Sequence, residues 1–168
     1  MGKILVLGLG NLLLQDEGVG MRAVERLQEC YEFPEEVELL DGGVLGLNLL
    51  AYLENVSRVL IIDAVESSTS PAVAPGTLIR LEDAQIPASI GLKLSPHQVG
   101  LSELLALARL QGFTFEKVVL WGLQPHVTST GLELSPAVAA QLDVLIQNVV
   151  RELRSWGLQI RVKEKHYA

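Results

Sequence analysis

The chain has 168 residues, 49% of them apolar and 20% charged, with a formal net charge of −7 and a single cysteine. This length and composition suit one compact domain with a full core and exclude a disordered chain. The acidic balance argues against a generic nucleic-acid binder, Cys30 alone excludes a disulfide framework or a thiolate metal cluster, and no apolar run approaches the ~18 residues of a membrane span.

Residues 3–20, KILVLGLGNLLLQDEGVG, are the stretch around which the rest is arranged. Ile4, Leu5, Val6 and Leu7 form a short apolar run bounded by glycine, which reads as a strand buried on both faces. Because the chain enters this strand directly, no signal peptide is expected, and a reducing cytoplasm is the expected compartment. Gly8-Leu9-Gly10-Asn11 then predicts a tight turn, and residues 19–31 a helix with Val19, Ala23, Val24 and Leu27 inward. Strand, glycine turn and helix form the first unit of a doubly wound α/β domain. A dinucleotide site fails here, because Leu13 stands where the third glycine belongs and two carboxylates would repel pyrophosphate. Asp16 and Glu17 admit two readings: a helix cap with a dipole partner, or a pair that attracts a cation.

Residues 37–40 predict a second strand, closed by Asp41-Gly42-Gly43, whose glycines would let another backbone approach closely. Residues 45–53 predict a helix with Leu45, Leu49, Leu50 and Leu53 inward. Residues 58–63, RVLIID, predict a third, buried strand ending in Asp63, a carboxylate at the edge where open α/β sheets place their sites. Residues 66–76 are small, polar and proline-broken, predicting a surface loop. With no crossover helix there, the strand at residues 77–81 is expected to run antiparallel near a sheet edge.

Ser95-Pro96-His97-Gln98 carries an N-cap, a proline suited to the first helical position and a capping-box glutamine, so it starts a helix. Leu101, Leu104, Leu105 and Ala108 face inward, and Gly112 ends the element. His97 falls in the first turn, where the helix dipole disfavours its cationic form and leaves it able to coordinate. Residues 117–123 predict the last core strand, with Trp121 in the core and His126 beyond it facing solvent. Ser135-Pro136 starts a long final helix with Val138, Leu142, Leu145, Val149 and Leu153 inward, stopped by Gly157. Residues 158–168 read as a charged tail in which His166 is inert.

Glu17, Asp63 and His97 therefore fall at or just after strand ends on the loop side of one sheet. Two carboxylates and an imidazole, without thiolate, suit a borderline divalent ion such as nickel or zinc and leave coordination positions open.

The sequence resembles the hydrogenase maturation proteases, which finish the large subunit of nickel–iron hydrogenases. The resemblance rests on GLGNLLLQDEGVG at residues 8–20, LDGGVLGLNLL at 40–50, LIIDAV at 60–65, SPHQVGL at 95–101 and LSPAV at 134–138, in the family order. It implies a single domain over residues 1–168: a three-layer α/β sandwich of the phosphorylase/hydrolase-like kind. Its twisted, mostly parallel five-stranded sheet would carry helices on both faces and one antiparallel strand. It further implies an endopeptidase that removes the C-terminal extension of the large-subunit precursor, with Glu17, Asp63 and His97 contacting nickel that belongs to the substrate. The free protein is then expected to be largely without metal and monomeric, with no nucleic-acid or membrane partner.

Asp16 and Asp41 match neighbouring acidic positions of the family. Val44 stands where the family often has threonine, and Gly122-Leu123-Gln124-Pro125 where it has Gly-Ile-Glu-Pro; both departures bear on substrate preference. The rival readings are a self-contained zinc hydrolase using the same three residues and a nickel-dependent chaperone that does not cut. A serine hydrolase lacks its G-x-S-x-G pattern. The turn at residues 41–43 is expected to form a lip of the cleft, so that Gly42→Val would lower processing and leave the fold intact.

Overall fold

The computed structural model describes residues 2–43, 46–67, 73–88, 92–94 and 101–164. Its strands form where apolar runs can be buried from both sides: β1 (Lys3–Leu9), β3 (Val37–Gly43), β4 (Val56–Ser67) and β7 (Lys117–Leu123). All four run parallel, and β5 (Leu78–Glu82) adds antiparallel to β7, giving the order β3-β1-β4-β7-β5. β5 thus lies antiparallel at an edge, as the missing crossover helix predicts. β4 runs past Asp63 to Ser67, and its projecting end pairs antiparallel with β6 (Leu92–Leu94). Glu66 and Ser67 therefore belong to a strand, contrary to the loop expected from residue 66 onward; the pairing with β6 satisfies their backbone where sequence polarity alone suggested a turn.

Side-chain alternation divides the core in two. Ile4, Val6, Leu60 and Ile62 meet α1 (Val19–Cys30) and α5 (Leu142–Ser155) on one face. Leu5, Leu7, Val59 and Ile61 meet Ile86 of a short α2 (Gln85–Ala88), α3 (Leu101–Leu110) and a 3-10 helix (Gly46–Leu53) on the other. This is the three-layer α/β sandwich. The inward positions of α1 are all buried, and so are Leu49 and Leu53 of the helix expected at residues 45–53, which is of the 3-10 kind. The capping segment Ser95-Pro96-His97-Gln98 lies outside the described residues, as do Val44, Leu45 and His166.

Two expectations at the C-terminal end change. The final helix is broken into a short α4 (Pro136–Ala139) and α5, because the Gln141 N–H turns back to Val138 O at 3.0 Å and closes the first segment. Residues 158–162 are not a loose tail. Gly157, at φ +86°, ends α5, and the Leu158 N–H reaches Leu153 O. Leu158 and Ile160 are then buried in the α1/α5 core, and β8 (Arg161–Val162) pairs with β2 (Tyr31–Glu32). Trp121 is only half-buried: its Nε1–H donates to Glu152 Oε1 at 3.0 Å, and Arg80 stacks over its ring.

Candidate active site

The strand order fixes where a site belongs. β1 leads through α1 to β3 on one side, and β3 leads through the 3-10 helix to β4 on the other. The two connections part between β1 and β4, so the crevice lies beyond the carboxyl ends of these two strands. Glu17 comes from the turn after β1, and Asp63 from β4.

Gly10 begins that turn at φ +133°, a conformation that side chains rarely adopt. A Cβ at this position would lie 1.9 Å from Glu17 O and 3.5 Å from Asp63 Oδ1, so the absent side chain lets the turn close over Asp63. The Asn11 N–H donates to Glu17 O at 3.0 Å and the Glu17 N–H to Leu14 O at 3.1 Å. Gln15, at φ +48°, turns the chain into the 3-10 turn Gln15–Gly18, which carries both acidic residues.

Asp63 is completely buried and Glu17 is 4% exposed. Asp63 Oδ1 accepts from the Ala64 N–H at 2.7 Å, while Oδ2 has no hydrogen-bond partner among the described residues. Burial pushes the Asp63 carboxyl well above the usual carboxylate range; the Ala64 N–H opposes this and the Glu17 charge adds to it. Burial also raises Glu17, with a further contribution from Glu66 on β4. A buried pair of carboxyl groups that resist ionising together, one with an unmet oxygen, is matched by a cation or by a group that exchanges a proton. Among the described residues, no group of three or more His, Cys, Asp and Glu side chains is placed to hold a metal ion. His97 lies outside the described residues.

Asp16 is neither a helix cap nor a partner of Glu17 in the crevice. It is completely buried and accepts hydrogen bonds from residues 126, 127 and 135. Residues 126–135 thus form a second wall beside the turn, with Leu14 bridging to Gly131. The imidazole-bearing residue His126 is exposed, as expected, yet its main-chain N–H is one of the donors to Asp16. Sequence reasoning missed this wall, because Ser135 before Pro136 reads as a helix cap, whereas its hydroxyl donates to Asp16 and makes no cap bond.

Residues 41–43, expected to be a turn, continue β3 instead, with Asp41 paired to Gly8 and Gly43 to Leu9 of β1. Gly42 is buried, and a Cβ there would lie 2.7 Å from Leu7 Cδ1 and 3.1 Å from Leu9 Cδ2. Its missing side chain makes room for β1, so Gly42→Val would disturb the core and is no clean probe of a substrate lip.

The same fold occurs in known proteins. The sequence model of the hydrogenase maturation protease family matches residues 21–152. The hydrogenase 2 maturation protease of Escherichia coli K12 is 39% identical over 162 residues, covering 96% of this chain and 97% of that one. The hydrogenase expression/formation protein HupD of Rhodobacter capsulatus is 43% identical over 94% of this chain and 74% of its own length. Among solved structures, the hydrogenase maturating endopeptidase HybD of E. coli superposes with a TM-score of 0.87 at 38% identity, covering 96% of this chain and 98% of that one.

Proposed function

The chain belongs to the hydrogenase maturation protease family, and from that premise we propose that it removes the C-terminal extension of a nickel-loaded hydrogenase large-subunit precursor, with Glu17, Asp63 and His97 contacting the substrate's nickel. The carrying observation is the Glu17–Asp63 pair: two buried carboxyl groups at the switch point, both shifted upward, with Asp63 Oδ2 unmet among the described residues. A positive ion brought by the substrate favours ionisation of both and offsets their repulsion. Without it the carboxyl groups hold a proton more readily, and the site is mismatched to a metal-free precursor.

His97 is consistent with this placement. Leu94 pairs with Val65, two residues beyond Asp63 on the same strand. His97 follows Leu94 by three residues, a reach of at most about 11 Å. Asp63 lies in the alternation row of Ile61 and Val65, which faces the α3 side of the sheet, and the segment bearing His97 leads into α3.

The chemistry is hydrolysis of one peptide bond, with water added across it to release a carboxylate and an amine. Glu17 and Asp63 orient the substrate's ion against the scissile bond, and Asp63 Oδ2, unmet among the described residues, is an oxygen open to it. The test is cleavage of nickel-loaded precursor by Glu17→Gln, Asp63→Asn and His97→Ala, read as the mass of the released peptide. Each is expected to lose cleavage while keeping its circular dichroism spectrum. Near wild-type cleavage by all three would overturn the assignment.

A further inference from the structure

Asp16 has four hydrogen-bond donors, all far along the chain. Oδ2 accepts from the His126 N–H at 2.9 Å, the Val127 N–H at 2.8 Å and the Ser135 hydroxyl at 2.7 Å; Oδ1 accepts from the Ser135 N–H at 2.7 Å. The Asp16 N–H in turn donates to Val127 O at 3.0 Å. The turn is laced to the same segment on its other side, where the Gln15 N–H donates to Gly131 O at 3.0 Å and the Gly131 N–H to Leu13 O at 2.8 Å. Neither the 3-10 turn nor α1 has a side-chain hydrogen bond from its N-cap residue.

We propose that Asp16 is a positioning residue for the peptidase reaction: it clamps residues 126–135 against the turn after β1 and thereby fixes the Glu17 carboxyl relative to the scissile bond. The inference rests on the reading of Glu17 as part of the site. A fully buried carboxylate is tolerated only when its oxygens are met, and here every donor comes from the opposite wall. The clamp is on the residue directly bonded to Glu17, whose own N–H and C=O are held by Leu14 and Asn11. Freeing Asp16 therefore displaces the Glu17 backbone, and a misplacement of about 1 Å at a reacting centre costs on the order of a hundredfold in rate. Because the precursor's contacts away from the reacting bond are untouched, the loss falls on kcat and leaves KM largely unchanged.

The experiment compares Asp16→Asn and Ser135→Ala with Val149→Ala, a core truncation in α5 remote from the crevice that lowers stability by another route. Cleavage of nickel-loaded precursor is measured at a temperature well below every melting point, with Glu17→Gln in parallel. Asp16→Asn is expected to lower kcat roughly a hundredfold, Ser135→Ala roughly tenfold and Val149→Ala by less than about threefold, all with KM within about threefold of wild type. If Asp16→Asn does not fold, Ser135→Ala, which removes one donor side chain and keeps the clamp otherwise, decides the matter alone. Rates for Asp16→Asn and Ser135→Ala equal to that of Val149→Ala, with Glu17→Gln inactive, overturn the positioning role and spare the site. A fully active Glu17→Gln overturns the site itself.

Discussion

Replacing Asp63 by asparagine is expected to stabilise the metal-free protein while destroying its activity. Asp63 is completely buried, with Oδ1 bonded to the Ala64 N–H and Oδ2 unmet among the described residues. A buried acceptor without a partner costs about 1–3 kcal/mol, and repulsion from Glu17 adds to that cost. Asparagine keeps an oxygen for Ala64, carries no charge and offers an N–H toward the acidic crevice. A gain of about 1–2 kcal/mol corresponds to a rise in melting temperature of about 2–8 °C for a domain of this size.

The pH dependence carries the sign. The folded state binds the Asp63 proton more tightly than the unfolded chain, whose ordinary value is 3.8. Stability contributed by this group therefore falls as pH rises from that value through the higher folded one. Below it both states are protonated and the penalty is absent. The advantage of Asp63→Asn should be small in acid and grow as pH rises, as read by calorimetric melting of both proteins between about pH 4 and pH 8. An asparagine variant that melts below wild type at neutral pH, or gains equally at every pH, would refute the reasoning.

Gly10→Ala should cost about 3 kcal/mol or more, because its Cβ would fall 1.9 Å from Glu17 O at a φ of +133°; an unchanged urea midpoint would contradict this. Truncation after Gly157 removes the buried Leu158 and Ile160, at about 1.5–3 kcal/mol for each side chain, and should lower the urea midpoint sharply. A truncated protein as stable as the full chain would mean that the β2–β8 closure holds nothing. His97→Ala should abolish processing and leave the melting temperature within about 2 °C of wild type; processing at near wild-type rate would remove it from the site.

What was legible in the sequence lay within single elements. β1 and β4 are legible because buried parallel strands are apolar throughout, and Asp63 stands out because a carboxylate interrupts such a run, although β4 continues beyond it to Ser67. The antiparallel edge strand followed from the lack of a crossover. Features made by distant pairing were not legible. The partners of Asp16 lie 110–119 residues away, so its sequence neighbourhood offers only a local cap or half of a cation-attracting pair. Leu158 and Ile160 have no helical spacing and lead into the charged residues Arg161, Lys163 and Glu164, and only the pairing of β8 with β2 shows why they are buried. Gly42 illustrates the same limit: a glycine pair reads as an exposed turn, while its space is taken by Leu7 and Leu9 of the adjoining strand.

The central claim is that nickel carried by the substrate licenses cleavage at the Glu17–Asp63 crevice. It is tested most directly by presenting the purified protein with the same large-subunit precursor in two forms, nickel-loaded and nickel-free, each verified by metal analysis. The released C-terminal peptide is quantified by mass spectrometry. Cleavage of the loaded precursor alone is the expected result, with nickel-free precursor left intact at any protease concentration. Efficient cutting of the nickel-free form would contradict the claim.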